Sequence, residues 1–252
     1  MEIKGYGATD VGKVRAANED AFLVDNERKL YIVADGMGGH QGGGYASTHA
    51  VKKIQEMIIG YESSQEATRP VVADPDRSPV QIRLRNALLA ANKYLYQKSL
   101  EDPSLRGMGT TCTAIQFDPK YVNIAHVGDS RLYLLRQGRL QQVTRDHSWV
   151  QEQVDSGILT AEEANSHPLK NIITRSLGHD QELLVDLGKE EYQPGDKFLI
   201  CSDGLTNMVS DETIKKVITE KKPEPAVKEL IELALKAGGL DNITVVIVEL
   251  AP

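Results

Sequence analysis

The last apolar run of the chain, from Asn242 to Leu250, limits the available folds more than any other segment. Successive side chains of a strand point to opposite faces. Here both faces are apolar, with Ile243, Val245 and Ile247 on one and Val246 and Val248 on the other. Such a strand belongs in the middle of a sheet covered on both sides. Apolar runs at 21–25 and 30–34, separated by Asn26-Glu27-Arg28-Lys29, read as a hairpin. Helical spacing follows at Ala46, Ala50, Val51, Ile54 and Ile58, and again from Ile82 to Leu100, with Leu84, Leu88, Ala91 and Leu95 on one face. The polar stretch between them, Glu62 to Pro79, reads as a loop. Short strands are expected at 110–117, 122–127, 131–136 and 140–143, with turns at Asp118-Pro119-Lys120 and Gln137-Gly138-Arg139. Residues 148–169 are mixed, polar and helical. Strands at 183–187 and 197–201 precede helices at 211–219 and 224–237. Strands come consecutively and helices in pairs, which is not the βαβα rhythm of a parallel sheet. The expectation is a single α+β domain spanning 1–252. Its two antiparallel sheets pack face to face between helical pairs, a four-layer αββα sandwich.

Composition narrows the function classes. The 252 residues carry a formal net charge of −7, so no clustered basic surface favours a nucleic acid. Two cysteines, Cys112 and Cys201, lie in apolar runs and are too few for a disulfide framework or a cysteine-based zinc site. The N-terminus has no apolar core of a signal peptide, and no run approaches the ~18 apolar residues of a membrane span. A cytoplasmic protein with no membrane partner is expected.

One feature recurs along the chain. An apolar strand runs straight into an aspartate beside glycine or a small polar residue: Asp35-Gly36, Gly128-Asp129-Ser130 and Asp203-Gly204. Asp241-Asn242 and Glu19-Asp20 each open a strand. Any one of these is also ordinary turn chemistry. As a set they suggest carboxylates gathered at strand ends, where their mutual repulsion calls for a cation. Oxygen ligands without a cysteine or histidine cluster favour Mg²⁺ or Mn²⁺ over Zn²⁺. The glycine after Asp35 would let the Gly36 carbonyl approach an ion. Two such ions can activate a water against a phosphate ester without a protein nucleophile. Neither cysteine has an arginine six positions on, so no cysteine-phosphatase loop is present. Arg15, just upstream of Glu19 and Asp20, could grip phosphate in a bidentate fork or form a structural ion pair.

Two glycine patterns are weaker signals. Gly7 to Lys13 resembles a P-loop, but Val14 stands where a hydroxyl is needed. The glycines of 36–44 do not fit a dinucleotide fingerprint. His40, His126 and His147 have no metal-ligand spacing.

Seven segments together resemble the protein phosphatase type 2C family of metal-dependent Ser/Thr phosphatases, its compact bacterial branch in particular. They are Arg15-Ala16-Ala17-Asn18-Glu19-Asp20, Asp35-Gly36-Met37-Gly38-Gly39-His40, Gly109-Thr110-Thr111, Gly128-Asp129-Ser130-Arg131, Thr144-Arg145-Asp146-His147-Ser148, Ser202-Asp203-Gly204-Leu205 and Asp241-Asn242-Ile243-Thr244. They run in family order through nearly the whole chain.

The resemblance implies hydrolysis of phosphoserine and phosphothreonine in proteins. Asp35 would bridge two tightly bound ions, Gly36 would offer its carbonyl to one, and Asp203 and Asp241 would bind the other. Glu19 and Asp20 would hold metal-bound waters. Asp129, with Asp203, would bind a third, weaker ion, and Arg15 would bind phosphate. Eukaryotic members carry a histidine, proposed as general acid, two residues after the bridging aspartate. Here that position is Met37, and His40 is the candidate substitute, with a metal-bound water as its competitor. Residues 148–169 match a mobile flap beside the site. The implied partners are phosphorylated proteins, including a eukaryotic-type Ser/Thr kinase and its substrates, met by a monomer. A catalytically dead relative would lack one of the metal acids, and every acid position is filled. An enzyme acting on small phosphate esters stays open.

Overall fold

The strand at Ile243–Ala251 lies between Glu2–Asp10 on one side and Lys197–Cys201 on the other, antiparallel to both. It is central, as its two apolar faces require. The computed structural model describes residues 1–38, 42–63 and 77–251. His40 and most of the expected 62–79 loop lie outside these described residues.

In chain order the elements are β1 (Glu2–Asp10), β2 (Ala21–Asp25), β3 (Leu30–Ala34), β4 (Gly36–Met37), α1 (Gly42–Ser63), α2 (Pro79–Glu101), β5 (Gly109–Thr110), β6 (Cys112–Phe117), β7 (Tyr121–Val127), β8 (Arg131–Arg136), β9 (Arg139–Gln142), α3 (Trp149–Asp155), α4 (Ala161–Ser166), β10 (Asp186–Glu191), β11 (Lys197–Cys201), α5 (Asp203–Thr206), α6 (Asp211–Glu220), α7 (Pro223–Lys236) and β12 (Ile243–Ala251). One sheet runs β1-β12-β11-β8-β9, the other β10-β7-β6-β3-β2, and β4 pairs with β5. The pairings within the two large sheets are antiparallel.

Side-chain alternation builds the layers. Tyr31 and Val33 of β3, Ile115 of β6, Phe198 and Ile200 of β11, and Val246 and Val248 of β12 fill the space between the sheets. The opposite face of the second sheet, with Leu30, Ile32, Cys112 and Ala114, packs under α1 and α2. The opposite face of the first, with Leu199, Val245 and Ile247, packs under α6 and α7. The architecture is the expected α+β, αββα sandwich. Each fully buried Leu, Ile or Phe contributes about 1.5–3 kcal/mol relative to exposure. Helix starts follow local chemistry. Ser78 caps α2 in a capping box with Gln81, and Pro79 occupies the first turn. Among the described residues no helix is long and apolar enough to cross a membrane.

Three strands depart from the sequence expectation. β4, at Gly36–Met37, falls in the glycine-rich stretch, where no strand is expected. β1 takes up the first four residues of the segment that resembled a P-loop, and no strand is expected there from periodicity. Its inward positions include Gly5 and Gly7, where added Cβ atoms would collide with the rings of Tyr31 and Phe22. The rings supply the apolar filling that β1's own side chains would otherwise show. β10 lies at 186–191 rather than 183–187. Leu183 and Leu187 pack against the α1–α2 core, and the ladder beyond them is the charged edge strand Asp186-Leu187-Gly188-Lys189-Glu190-Glu191.

Candidate metal centre

The expected acids converge at one end of the sandwich because five chain segments terminate there. Asp35 follows β3. Its N–H donates to Thr111 Oγ1 at 2.9 Å, and its carbonyl accepts from Thr111 N at 2.8 Å and Thr110 Oγ1 at 2.9 Å. The Asp35 backbone is therefore pinned, and its carboxyl meets that of Asp203. Asp203 opens α5 and accepts from Asn207 Nδ2 at 2.9 Å. Asp241 precedes β12 and accepts from Arg15 Nη2 at 2.7 Å and from the Asn242 N–H at 2.8 Å. Asp20 precedes β2 and is buried. Its Oδ2 accepts from Thr244 Oγ1 at 2.6 Å and Ser202 Oγ at 2.8 Å. Asp129 sits in the turn between β7 and β8.

Glu19 and Arg15 are carried by the segment joining β1 to β2, and Asn242 anchors that segment. Its Nδ2 donates to the carbonyls of Val11 at 2.9 Å and Ala17 at 3.0 Å, and its Oδ1 accepts the Glu19 N–H at 2.8 Å. Ser47 of α1 donates to the Glu19 carbonyl. The glycine-rich stretch belongs to this packing. A Cβ on Gly43 would meet the Glu19 carboxyl at 2.8 Å, and one on Gly36 would collide with the carbonyls of Gly43 and Glu19. The glycines bring α1 against the acidic segment, a reason for Gly36 distinct from approach to an ion. His40 lies outside the described residues. Met37 is half-buried in β4.

The electrostatics are those of crowded carboxylates. Burial raises the Asp35 carboxyl well above the usual range, and Asp20, Asp203, Asp129 and Asp241 raise it further. Asp129 is likewise raised by burial, then by Asp203 and Asp146. Burial and then Asp241 raise Asp203. Asp20 is pushed up to about 6 by burial, against the hydrogen bonds from Thr244 and Ser202. The hydrogen bond to Asp241 raises Arg15 despite some burial, and the charges of Asp241, Asp35 and Glu19 act in the same direction. Burial is the largest cause of each raised carboxyl, and neighbouring carboxylates add to it.

Three carboxylate oxygens, Glu19 Oε1, Asp20 Oδ1 and Asp129 Oδ1, are buried without a hydrogen-bond partner. A buried acceptor of this kind is expensive, and an anionic one calls for a cation. The all-oxygen donor set suits a hard divalent ion. Among the described residues no three acids, imidazoles or thiols form a closed ligand set around a single point. Water or backbone carbonyls would therefore have to complete the shell of any ion bound there. The cleft continues into a cavity of about 260 Å³ bounded by Asp129 and Asp203 on one side and by Val150, Val154, Ala161 and Ala164 on the other.

A family model described as Protein phosphatase 2C matches residues 12–238. The chain belongs to the protein phosphatase 2C family. It is 40% identical over 242 residues to the serine/threonine protein phosphatase PstP of Mycobacterium tuberculosis, covering 96% of this chain and 44% of PstP. The chain thus spans less than half the length of that relative. It is 38% identical over 246 residues to the protein phosphatase PhpP of Streptococcus pneumoniae, covering 96% of this chain and 95% of PhpP. The solved catalytic domain of PstP in complex with two manganese ions superposes with a TM-score of 0.84 at 36% identity, covering 99% of each chain. This phosphatase 2C chain shares its fold with those relatives.

Several residues that build the site carry no assigned role in the sequence reading: Thr111, Ser202, Asn242 and Thr244 within the recognised segments, and Ser47 outside them. Ser202, Asn242 and Thr244 lie within three residues of Asp203 or Asp241, whereas Thr111 and Ser47 have no acid near them in sequence. Which hydroxyl meets which carboxylate depends on tertiary pairing across the two sheets.

Proposed function

We propose that this chain hydrolyses phosphoserine and phosphothreonine monoesters in proteins, opposing Ser/Thr kinases. The observation that carries the reading is the set of three buried, unpartnered carboxylate oxygens, together with the Asp35 and Asp203 carboxyls raised by burial and then by neighbouring acids. Asp35, Gly36, Asp203 and Asp241 would hold two divalent ions tightly, Glu19 and Asp20 would act through water, and Asp129 with Asp203 would hold a third more weakly. Bound Mn²⁺ or Mg²⁺ would bring the acidity of a water close to neutrality and neutralise the phosphoryl oxygens.

The chain's own groups do the remaining work. Arg15, steadied by its 2.7 Å contact to Asp241 and about half exposed, is placed to turn part of its fork toward a phosphate at the cleft mouth. Asn242 fixes the segment that carries it. Thr244 and Ser202 occupy one oxygen of Asp20 and leave the other toward the cleft. His40 would protonate the leaving alkoxide. The segment at about 148–169, built of α3 and α4 around Gly157 at φ +71°, would act as a flap that discriminates among phosphoproteins. The partners would be phosphorylated proteins, including a eukaryotic-type Ser/Thr kinase and its substrates, in the cytoplasm and met by a monomer.

The test is phosphate release from a phosphothreonine peptide by the purified protein with Mn²⁺, and with a chelator. Release that requires the metal and survives thiol alkylation supports the reading. Metal-independent release, or none with Mn²⁺ present, refutes it.

A further inference from the structure

The side chain of His147 has no part in the chemistry above, yet it lies where several segments of the site meet. Its backbone N–H donates to the Gly128 carbonyl at 2.8 Å, and the Gly128 N–H donates back to Nδ1 at 3.0 Å. Its own carbonyl accepts from Thr174 N at 2.9 Å. On the far side of the ring, Nε2 lies 3.1 Å from Asp186 Oδ2 and 3.3 Å from Arg175 Nη1, and Arg175 is 2.8 Å from the other Asp186 oxygen. The ring packs on His126 with centroids 4.8 Å apart.

These contacts fix the tautomer. A backbone N–H only donates, so Nδ1 must present its lone pair to Gly128. The neutral ring then carries its proton on Nε2, where Asp186 accepts it, because Arg175 offers only N–H groups. Burial also keeps the ring below its ordinary pKa, in the uncharged form.

Gly128 immediately precedes Asp129. Among the described residues, no other residue hydrogen-bonds the Asp129 carboxylate, and Asp129 Oδ1 is buried without a partner. The direction of that carboxylate is therefore set by its turn rather than by side-chain neighbours. The far side of the turn is held at Ser130, whose hydroxyl meets Thr111 Oγ1 at 2.7 Å and whose carbonyl accepts from Thr113 at 2.8 Å. The near side is held at Gly128, whose φ of +107° only glycine adopts readily.

We propose that His147 is a positioning residue for Asp129: Asp186 holds the imidazole in one tautomer, Nδ1 clamps the Gly128 N–H, and the clamped turn aims the Asp129 carboxylate into the cleft, where it supports the weaker cation site. The proposal rests on the function proposed above. It also ties that carboxylate to the base of the 148–169 segment, because the same residue pairs with Thr174 and Arg175 just beyond it.

Two substitutions separate the clamp from simple packing. His147→Asn keeps an acceptor near the Nδ1 position, and His147→Gln keeps a donor near Nε2 but loses the acceptor. Calorimetric titration of each full-length variant with Mn²⁺ is expected to show the tight sites unchanged in both. The weaker site should lose about 10-fold or more in affinity in His147→Gln, the effect usual for groups that orient a ligand, and markedly less in His147→Asn. In the metal-free protein, exchange of the Gly128 amide should accelerate in the Gln variant and not in the Asn variant. The wild-type ring should show ¹⁵N shifts of a bare Nδ1 and a protonated Nε2.

Equal loss in both variants, no loss in either, or a protonated Nδ1 overturns the proposal. If no Mn²⁺ binds to the wild type while the exchange order holds, the metal reading fails and the clamp on the turn stands. If Mn²⁺ binds as expected and the exchange order is absent, the clamp alone falls.

Discussion

Asp20→Asn tests what a buried, unneutralised carboxylate costs the fold, apart from the chemistry. In the folded protein the Asp20 carboxyl moves from its ordinary 3.8 up to about 6, chiefly through burial. Between those values the folded state holds a proton that the unfolded chain has released. The stability that this group contributes is therefore full below about pH 4 and is lost as pH rises through about 6. The corresponding free energy is about 3 kcal/mol.

Asparagine has nearly the same shape, can accept the Thr244 and Ser202 hydrogen bonds through one oxygen, and never ionises. Any fixed packing cost of the substitution is the same at every pH. The difference between variant and wild type at pH 8, less that at pH 4, isolates the charge. It is expected to favour the variant by about 2–3 kcal/mol, or roughly 4–12 °C in Tm. Urea unfolding of both proteins in a chelator at the two pH values measures it. The raised carboxyls of Asp35, Asp129 and Asp203 act in the same direction in both proteins. Saturating Mn²⁺ should reverse the order at pH 8 by stabilising the wild type more. A variant that gains nothing on wild type between pH 4 and pH 8 without metal would refute the view that unneutralised negative charge strains this cleft.

Arg15→Ala should lower kcat/KM for an aryl phosphate about 10-fold or more, the loss of roughly 1.4 kcal/mol of phosphate binding, and leave Tm nearly unchanged. The Arg15–Asp241 pair is too exposed to contribute more than about 1 kcal/mol to stability. A fall in Tm with unchanged kinetics would return Arg15 to a structural ion pair. Iodoacetamide at pH 8 should leave activity intact and label neither cysteine in the folded protein, since burial pushes both thiols up to about 12; rapid labelling with loss of activity would contradict this. Exchanging 148–169 for the segment of a relative should alter the ratio of kcat/KM between two phosphopeptides while hardly changing aryl phosphate hydrolysis, and an unchanged ratio would move selectivity elsewhere.

Much of this architecture is legible in residue order because it rests on local pattern. The two-faced apolar run of β12 requires a covered sheet, and the charged break at 26–29 closes a hairpin. The acids are legible because each stands where an apolar run stops or starts. β1 is hidden because its glycines make room for rings from other strands, and β10 is displaced because edge strands need little apolar content. The partners of Asp20 and the clamp on Gly128 are not legible at all. Thr244 and Asp20 are joined only when β12 and β2 meet at one end of the sandwich, and His147 reaches Gly128 only through the return of the chain after β9. His40→Ala should slow hydrolysis of alkyl phosphates much more than of aryl phosphates, and an equal effect on both would remove His40 from the leaving-group step.

On the proposed function, the cleft bounded by Asp35, Asp203 and Asp241 would hold the ions that support phosphate ester hydrolysis. Crystals grown with Mn²⁺, measured at the manganese absorption edge, test it most directly. Strong anomalous peaks are expected within coordinating distance of the Asp35 carboxylate, lost on Asp35→Asn together with turnover. An empty cleft in a protein that still hydrolyses phosphothreonine peptides in the same Mn²⁺ solution would contradict it.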